Sequence, residues 1–507
     1  MPLFPEFNHV DRAYCRTVDS LGMAANSNLN LDEVSVFLKY LLLEGLEQDE
    51  INDWRVRRST DSCLALIRRL ESLLIDLEAD KKELKSVLGI EWDTFCLVCL
   101  ATRLYRHRII ELAMEAVLSE PLSPETIIKP SYPPQHELST ALQGDWNHAI
   151  IFSSALFFFH DFYPLAVDAF VHDSERFGHP HFNVLGANKD WLNENGTLKR
   201  IIYIDFTMGR LIETDLEIPI RPDSVQFLCL GDQEISRHAA LSQRFKCKQV
   251  NPLAVSKLAD NKAATLSGWS TLGLTIPAYK QVMAGELNTA LRFLDSVEEI
   301  VIKPNQATEG KFVAFFRRDH AQSKIEMERH LNNCWELGSA LVQQRCDSVI
   351  FRNPATGTTH SLALRLNLAY DGERFCLESG YAQLGVNEHY SAACGRGGHI
   401  VSINEVLSGL ISRYDTKGKP IDLSEKDWAR IREQSEQAAG LFPGLLLIGL
   451  DVLLDHDANG NIIPVFLEAN PRPAGLSHSR LLTEDIMSST QNGVSLKLWS
   501  GLAKFCL

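Results

Sequence analysis

The sequence predicts an α/β fold preceded by a helical N-terminal domain. Three observations carry this. Apolar residues recur at helical spacing from about residue 30 to about residue 120. A proline-dense stretch then interrupts the chain. Beyond it, short runs rich in β-branched residues alternate with helical segments, the texture of strands buried in a sheet.

The first domain rests on three amphipathic stretches. Leu31–Leu43 is closed by Gly45, a residue suited to a helix C-cap. In Cys63–Leu77 the residues Cys63, Leu66, Ile67, Leu70, Leu73, Leu74 and Leu77 form one stripe of period 3.6. Phe95–Leu118 supplies a third helix. Within it, Cys96 and Cys99 have C-x-x-C spacing, but they lie in an apolar helical run and read as core thiols. Pro121, Pro124, Pro130, Pro133 and Pro134 then break helical structure and mark a linker, so residues 1–135 form the first unit.

His148–Phe152, Arg200–Phe206 and Val225–Leu230 read as strands of a parallel sheet, giving a small α/β domain over residues 136–250. Residues 251–507 form the third domain. There Asp260–Leu272 is helical, and Glu299–Lys303 and Lys311–Arg317 are strands joined by a polar loop. Ser361–Ala369 and Arg374–Tyr381 form a hairpin turning at Asp371 and Gly372. Ser424–Ala439 is a helix whose Ser424 and Asp427 have capping-box spacing. Leu446–Leu454 and Ile462–Ala469 form a second hairpin, turning over Asp457–Gly460.

Bulk properties narrow the function. A chain of 507 residues, 45% hydrophobic, is too long for one ordinary core. A net charge of -15 argues against a nucleic-acid partner and against an anionic membrane surface, both of which want a basic face. The longest apolar run, Ala149–Phe159, is interrupted by Ser153 and Ser154 and falls short of the roughly 18 residues needed to span a bilayer. Met1–Asp11 lacks the basic and apolar regions of a secretory signal, and the 11 cysteines follow no framework spacing. A cytoplasmic enzyme with reduced thiols is expected.

The chemistry concentrates in Gly449–Ser479. Asp451 sits on the first strand of the second hairpin, with Glu468 and Asn470 on the return strand. Residues two apart on a strand share a face, so Glu468 and Asn470 point the same way. Pairing of the strands brings Asp451 near them. Oxygen ligands gathered at one end of a sheet suit a hard cation such as Mg²⁺. Glu468 also follows the apolar run Val465–Leu467, and a half-buried carboxylate needs a partner or a cation. Arg472 lies two residues further, between Pro471 and Pro473.

The segment Asp451…Glu468-Ala-Asn470-Pro-Arg472 resembles the metal-binding signature of the ATP-grasp ligases. A second motif, Val301-Ile-Lys303-Pro304, lies upstream in the order that family shows, and Lys262 resembles its other phosphate-binding lysine. The resemblance covers roughly residues 250–485. It implies an ATP-grasp catalytic domain at 251–507 and a Rossmann-like domain before it at 136–250. It further implies that ATP binds with two Mg²⁺ ions, or Mn²⁺ in their place, held by Asp451, Glu468 and Asn470. Lys262 and Lys303 would meet the phosphates, with Thr308 and Gly310 in the loop that folds over them. That loop has few glycines for the family, and Glu309 must point away from phosphate. Gln343 or Gln344 would face the adenine, where the family often has a glutamate. Arg472 would bind the substrate carboxylate or the migrating phosphoryl group, and Arg365, on an alternating strand, would face an anionic intermediate. The likeness of Ser477 and His478 to a Thr-His pair of peptide-forming relatives is faint.

The implied reaction activates a carboxylate, an amino acid or small peptide, as an acyl phosphate and joins it to an amine. Two other readings stay open: a phosphotransferase that stops at a phosphorylated product, and a nucleotide-binding regulator. A homodimer is compatible with the sequence, dimers being common among such enzymes.

Overall fold

The computed structural model describes residues 142–152, 162–205, 210–228, 230, 234–307, 312–318, 323–387, 392, 399–415, 420–457, 461–473, 475, 476, 479 and 495–506. The expected N-terminal helices, their C-x-x-C pair and the proline-rich linker lie outside these residues. So do Thr308, Gly310, Lys311, Ser477 and His478. The described residues fall into two compact units, one within Met1–Gln249 and Ala474–Leu481, the other within Val250–Pro473 and Leu482–Leu507. Among the described residues, no helix is long and apolar enough to cross a membrane.

The first unit holds a six-stranded sheet in the order β4-β3-β2-β1-β5-β6. Its strands are β1 (Trp146–Phe152), β2 (Phe182–Asn188), β3 (Leu198–Asp205), β4 (Arg210–Ile220), β5 (Ser224–Phe227) and β6 (Lys248–Gln249), with helices α1 (Tyr163–Arg176) and α2 (Glu234–Ser242). The middle pairings β2-β1, β1-β5 and β5-β6 are parallel. Contrary to the expectation for Arg200–Phe206, β3 pairs antiparallel to both β2 and β4. An apolar β-branched run reports burial, not strand direction, and the turn leading into it decides the latter.

The second unit begins with α3 (Leu253–Asp260) and α4 (Lys262–Thr271). One helix over Asp260–Leu272 was the expectation. The chain breaks at Asn261 instead, whose extended ψ of 93° leaves its side chain free to cap α4 through the Ala264 N–H. Asparagine favours that position because its side-chain oxygen substitutes for a missing helical acceptor.

A four-stranded antiparallel sheet follows, in the order β7-β10-β8-β9. It comprises β7 (Tyr279–Val282), β8 (Glu299–Pro304), β9 (Ala314–Arg317) and β10 (Ala340–Gln344), backed by α5 (Leu287–Val297) and α6 (Ser323–Trp335). Ile300, Ile302 and Val342 pack in the core with Leu294 and Leu331 of those helices. Val301, Lys303 and Gln343 therefore face the opposite side, since side chains alternate along a strand.

A three-stranded sheet contains β11 (Val349–Arg352), β12 (Thr359–His360) and β16 (Leu410–Ser412). The largest sheet of the unit has the order β15-β14-β13-β17-β18. Its members are β13 (Leu362–Tyr370), β14 (Phe375–Leu384), β15 (His399–Val401), β17 (Leu447–His456) and β18 (Ile462–Asn470). Helices α7 (Ile403–Leu407), α8 (Glu425–Ala439) and α9 (Leu496–Cys506) complete the unit. The capping box of Ser424 and Asp427 is formed at the start of α8.

Even-numbered residues of β13 and β17 set the core. Leu364, Leu366, Leu368, Ile448, Leu450 and Val452 pack with Leu266 and Trp269 of α4 and Ile431 of α8. The Trp269 indole donates to the Ala438 carbonyl at 3.0 Å and packs edge-on to Phe442. The odd-numbered residues Ala363, Arg365, Asn367, Gly449, Asp451 and Leu453 are thereby presented on the other face, where the candidate site lies.

Candidate functional site

A cleft of the second unit runs between the outward faces of the four-stranded and five-stranded sheets. Val301, Phe315, Ala363, Leu453 and Leu467 give it an apolar part, and Lys262, Lys303, Asp451 and Glu468 a charged part. Gln343, Gln344 and the segment Arg345–Asp347 line it as well. An apolar part opening onto a charged end suits a ligand with an apolar group at one end and charged groups at the other.

Strand register assembles the charged end. Tyr381, Arg365, Asp451 and Glu468 stand opposite one another across β14, β13, β17 and β18. Asp451 is therefore flanked on one side by a guanidinium and on the other by a carboxylate. Arg365 Nε donates to Asp451 Oδ1 at 2.5 Å, and the guanidinium also reaches Oδ2 at 3.1 Å. Asn470 Nδ2 lies 3.4 Å from the same Oδ2. Gly449 keeps this row open, because a Cβ there would lie 3.2 Å from Asn367 Oδ1 and 3.3 Å from Arg365 Cδ.

A β-bulge shapes the neighbouring row. Asp451 pairs with Glu468, but the next residue, Val452, pairs with Phe466, so Leu467 is the extra residue on β18. Strict alternation would send Leu467 to the face opposite Glu468. The bulge lets both line the cleft.

The lysines come from separate elements and converge. Lys262 opens α4 and Lys303 lies near the end of β8. Their Nζ atoms lie 3.6 and 3.5 Å from the same oxygen, Glu468 Oε2. Lys262 also donates to the Ala307 carbonyl at 2.5 Å. Burial pulls Lys303 below its usual range, and Glu468 counters that loss while Lys262 adds to it. Burial would raise the Glu468 carboxyl, but the two ammonium groups outweigh it and hold the group well below the usual carboxylate range. Asp451 is pushed up by burial, against the pull of Arg365. For Arg365, burial works against the charge, yet the Asp451 carboxylate prevails and holds the guanidinium protonated.

The segment after β10 is fixed by ion pairs. Arg345 grips Asp347 with two hydrogen bonds of 2.6 and 2.8 Å, and its guanidinium lies 4.8 Å from the centre of the Phe315 ring. Arg413, just past β16, bonds Glu299 at 2.9 Å and reaches Asp347 at 3.4 Å. Burial raises the neighbouring Cys346 thiol to about 12, which makes it a poor nucleophile. Gln343 is 2% exposed and its Nε2 has no hydrogen-bond partner among the described residues. A buried amide donor without a partner is costly unless a ligand supplies one.

Of the residues singled out in the sequence, Lys262, Lys303, Gln343, Gln344, Asp451 and Glu468 line the cleft. Asn470 and Arg365 adjoin it through Asp451. Arg472 does not line it. It is 4% exposed and its guanidinium bonds Asp260 Oδ1 at 2.6 Å. Two prolines beside an arginine gave no hint of the buried partner supplied by α3.

Sequence reasoning missed the cleft's apolar walls. Val301 and Leu453 were within reach, each being two residues from a charged member of the site. Leu467 was not, because its placement depends on the bulge. Asp347 carried no local signal.

Asp451, Glu468 and Asn470 offer two carboxylates and an amide oxygen on adjacent strands. That hard donor set fits Mg²⁺ shared with ligand oxygens.

No family model matches the chain, and no curated protein matches it either. Several solved structures of synthetases and ligases are similar to it. The D-cycloserine synthetase DcsG is 16% identical, with a TM-score of 0.43, covering 71% of this chain and 100% of its own. D-alanyl-alanine synthetase A from Vibrio cholerae is 13% identical, with a TM-score of 0.42, covering 71% of this chain and 98% of its own. The VanG D-Ala:D-Ser ligase from Enterococcus faecalis is 13% identical, with a TM-score of 0.44, covering 71% of this chain and 99% of its own. At these values the likeness carries no argument, and the reading of the cleft stands on its own residues.

Proposed function

We propose that this protein is an ATP-dependent carboxylate–amine ligase of the ATP-grasp type. The observation that carries the reading is the convergence of Lys262 and Lys303 on Glu468, beside Asp451, at the charged end of an apolar cleft. In this reading the four-stranded sheet and the large sheet are the two halves of the ATP-grasp domain. The first unit is the Rossmann-like domain that precedes it.

The purine of ATP lies between Val301 and Phe315 on one side and Leu453 and Leu467 on the other, with Gln343 and Gln344 at its edge. Lys262 and Lys303 exchange Glu468 for the triphosphate and offset its charge. Asp451, Glu468 and Asn470 would hold Mg²⁺, which would supply positive charge against the phosphate oxygens. Arg365, beside Asp451, orients the carboxylate that receives the γ-phosphoryl group. The resulting acyl phosphate is attacked by an amine, and ADP and phosphate leave. Phosphoryl transfer of this kind depends on positioning and charge stabilisation, which is what a fixed row of charged side chains provides. An amino acid or short peptide as the carboxylate is part of the proposal.

Incubation with ATP, Mg²⁺ and pooled amino acids, followed by mass spectrometry, tests it. ADP with a condensed product is expected. ADP with a phosphorylated product and no condensation would make the protein a phosphotransferase. Tight magnesium-dependent ATP binding without turnover would make it a regulator.

A further inference from the structure

The two lysines of the cleft sit on elements that no strand pairing joins. One opens α4 and the other lies near the end of β8. Their ammonium groups nevertheless reach one carboxylate oxygen. Asn305, the residue following β8, bridges these two elements.

Asn305 is 4% exposed, and both halves of its side chain are used. Its Oδ1 accepts the Ala263 N–H of α4 at 2.8 Å. Its Nδ2 donates to Asn261 Oδ1 at 3.0 Å, the same oxygen that caps α4 by accepting the Ala264 N–H at 3.1 Å. Its backbone carbonyl accepts the Lys262 N–H at 3.3 Å, and its own N–H donates to the Ser339 carbonyl at 2.9 Å. The first three N–H groups of α4, normally without intrahelical partners, are thus all satisfied by Asn261 and Asn305.

Two consequences follow. The α4 N-terminus has no free N–H groups in its first turn with which to hold an anion, so Lys262 acts through its side chain alone. In addition, Asn305, two residues beyond Lys303, ties the start of α4 to the end of β8, and with it the height of Lys262 relative to Lys303. We propose that Asn305 is a positioning residue, which sets the separation of Lys262 and Lys303 and so makes the cleft selective for a triphosphate over an uncharged nucleoside. This rests on the reading of the cleft as an ATP site. Asn305 itself needs no contact with the ligand.

The experiment compares Asn305→Ala and Asn305→Asp with the unaltered protein. Affinity for ATP with Mg²⁺ is measured by calorimetry, and affinity for adenosine by ligand-observed NMR. The alanine variant loses every side-chain tie. Its ATP affinity is expected to fall by at least about tenfold, the size of one lost hydrogen bond or more. Its adenosine affinity is expected to stay within about twofold of the unaltered protein, since the apolar slot does not involve Asn305. The aspartate variant keeps the acceptor for Ala263 but sets a carboxylate oxygen against Asn261 Oδ1, so its ATP affinity is expected to fall at least as far as that of the alanine variant.

A general loss of folding would lower both affinities together, and that outcome overturns the proposal, as would no change in either. If the unaltered protein binds neither ligand, the ATP reading fails on its own. A crystal structure of Asn305→Ala then decides the matter, because both ammonium groups remaining beside Glu468 Oε2 would show that Asn305 does not position them.

Discussion

Arg365 and Asp451 stand opposite each other on β13 and β17, joined by hydrogen bonds of 2.5 and 3.1 Å. The guanidinium occupies the side of the carboxylate that a metal ion would otherwise approach freely, so it acts as a resident cation at the candidate metal site. Glu468 stands on the other side of Asp451, so any divalent ion must enter between two carboxylates that are both already paired with cations.

Arg365→Met tests that arrangement. Removing the guanidinium takes away a competing positive charge, and Mn²⁺ affinity without nucleotide is expected to rise by about tenfold, the worth of one charge-assisted hydrogen bond. The measurement is Mn²⁺ titration by electron paramagnetic resonance, at the same pH for both proteins. Turnover with ATP is expected to fall at the same time, because the carboxylate substrate loses its orienting group. Weaker metal binding in the variant would show that Asp451 needs Arg365 more than it competes with it.

Arg472 is expected to behave as a structural residue. Its pair with Asp260 is nearly closed to solvent, the two side chains being 1% and 5% exposed. Removing one partner of a buried pair costs about 3–5 kcal/mol, because the remaining charge is stranded. Urea unfolding should show a loss of that order for Arg472→Met. The double variant with Asp260→Leu should recover most of it, since two apolar residues can replace a buried ion pair at little cost. Full stability of Arg472→Met would mean that the pair is weaker than its geometry suggests.

The contrast between Arg472 and Lys303 shows how much of the site could be read from the chain. Lys303 ends an apolar strand, and packing alone gives a lysine no reason to be there. Asp451, Glu468 and Asn470 were legible because strand periodicity fixes which residues share a face. Arg472 continued the same pattern by spacing, but its destination depends on Asp260, 212 residues away in sequence. No local rule carries that information. The same limit applies to Asp347, held by Arg345 and Arg413, and to Leu467, placed by a bulge that alternation does not foresee. In the fold, strand existence was legible and strand direction was not, as β3 shows. The break at Asn261 was hidden because asparagine is tolerated within a helix as well as at its start.

His148 gives the first unit an acid-sensitive point. It is fully buried on β1, its Nδ1 lies 2.7 Å from Ser224 Oγ, and burial lowers its pKa from 6.5 to about 4. The unfolded chain therefore takes up a proton that the folded chain refuses as pH falls from about 6.5 to about 4, and stability is lost across that window. The full loss is on the order of 3 kcal/mol. Thermal unfolding at pH 7 and pH 4 should show a drop in the unaltered protein that is smaller in His148→Gln. An equal drop in both would place the acid sensitivity elsewhere.

Glu468 answers to both lysines, and its replacement separates two roles. In Glu468→Gln the Lys262 and Lys303 ammonium groups, whose side chains are each 9% exposed, lose their shared counter-ion. The ligand-free protein is expected to lose about 1–3 kcal/mol of stability, the penalty for leaving buried charged groups poorly satisfied. ATP can restore that balance without metal, because its phosphates take the place of the lost carboxylate and no longer compete with it. Calorimetry with EDTA should therefore show ATP binding to the variant at least as tightly as to the unaltered protein. Calorimetry with Mg²⁺ should show the gain from the metal shrinking toward nothing, since one of its two carboxylate ligands is gone. If Mg²⁺ strengthens ATP binding equally in both proteins, Glu468 serves the lysines alone and the metal is held by other groups.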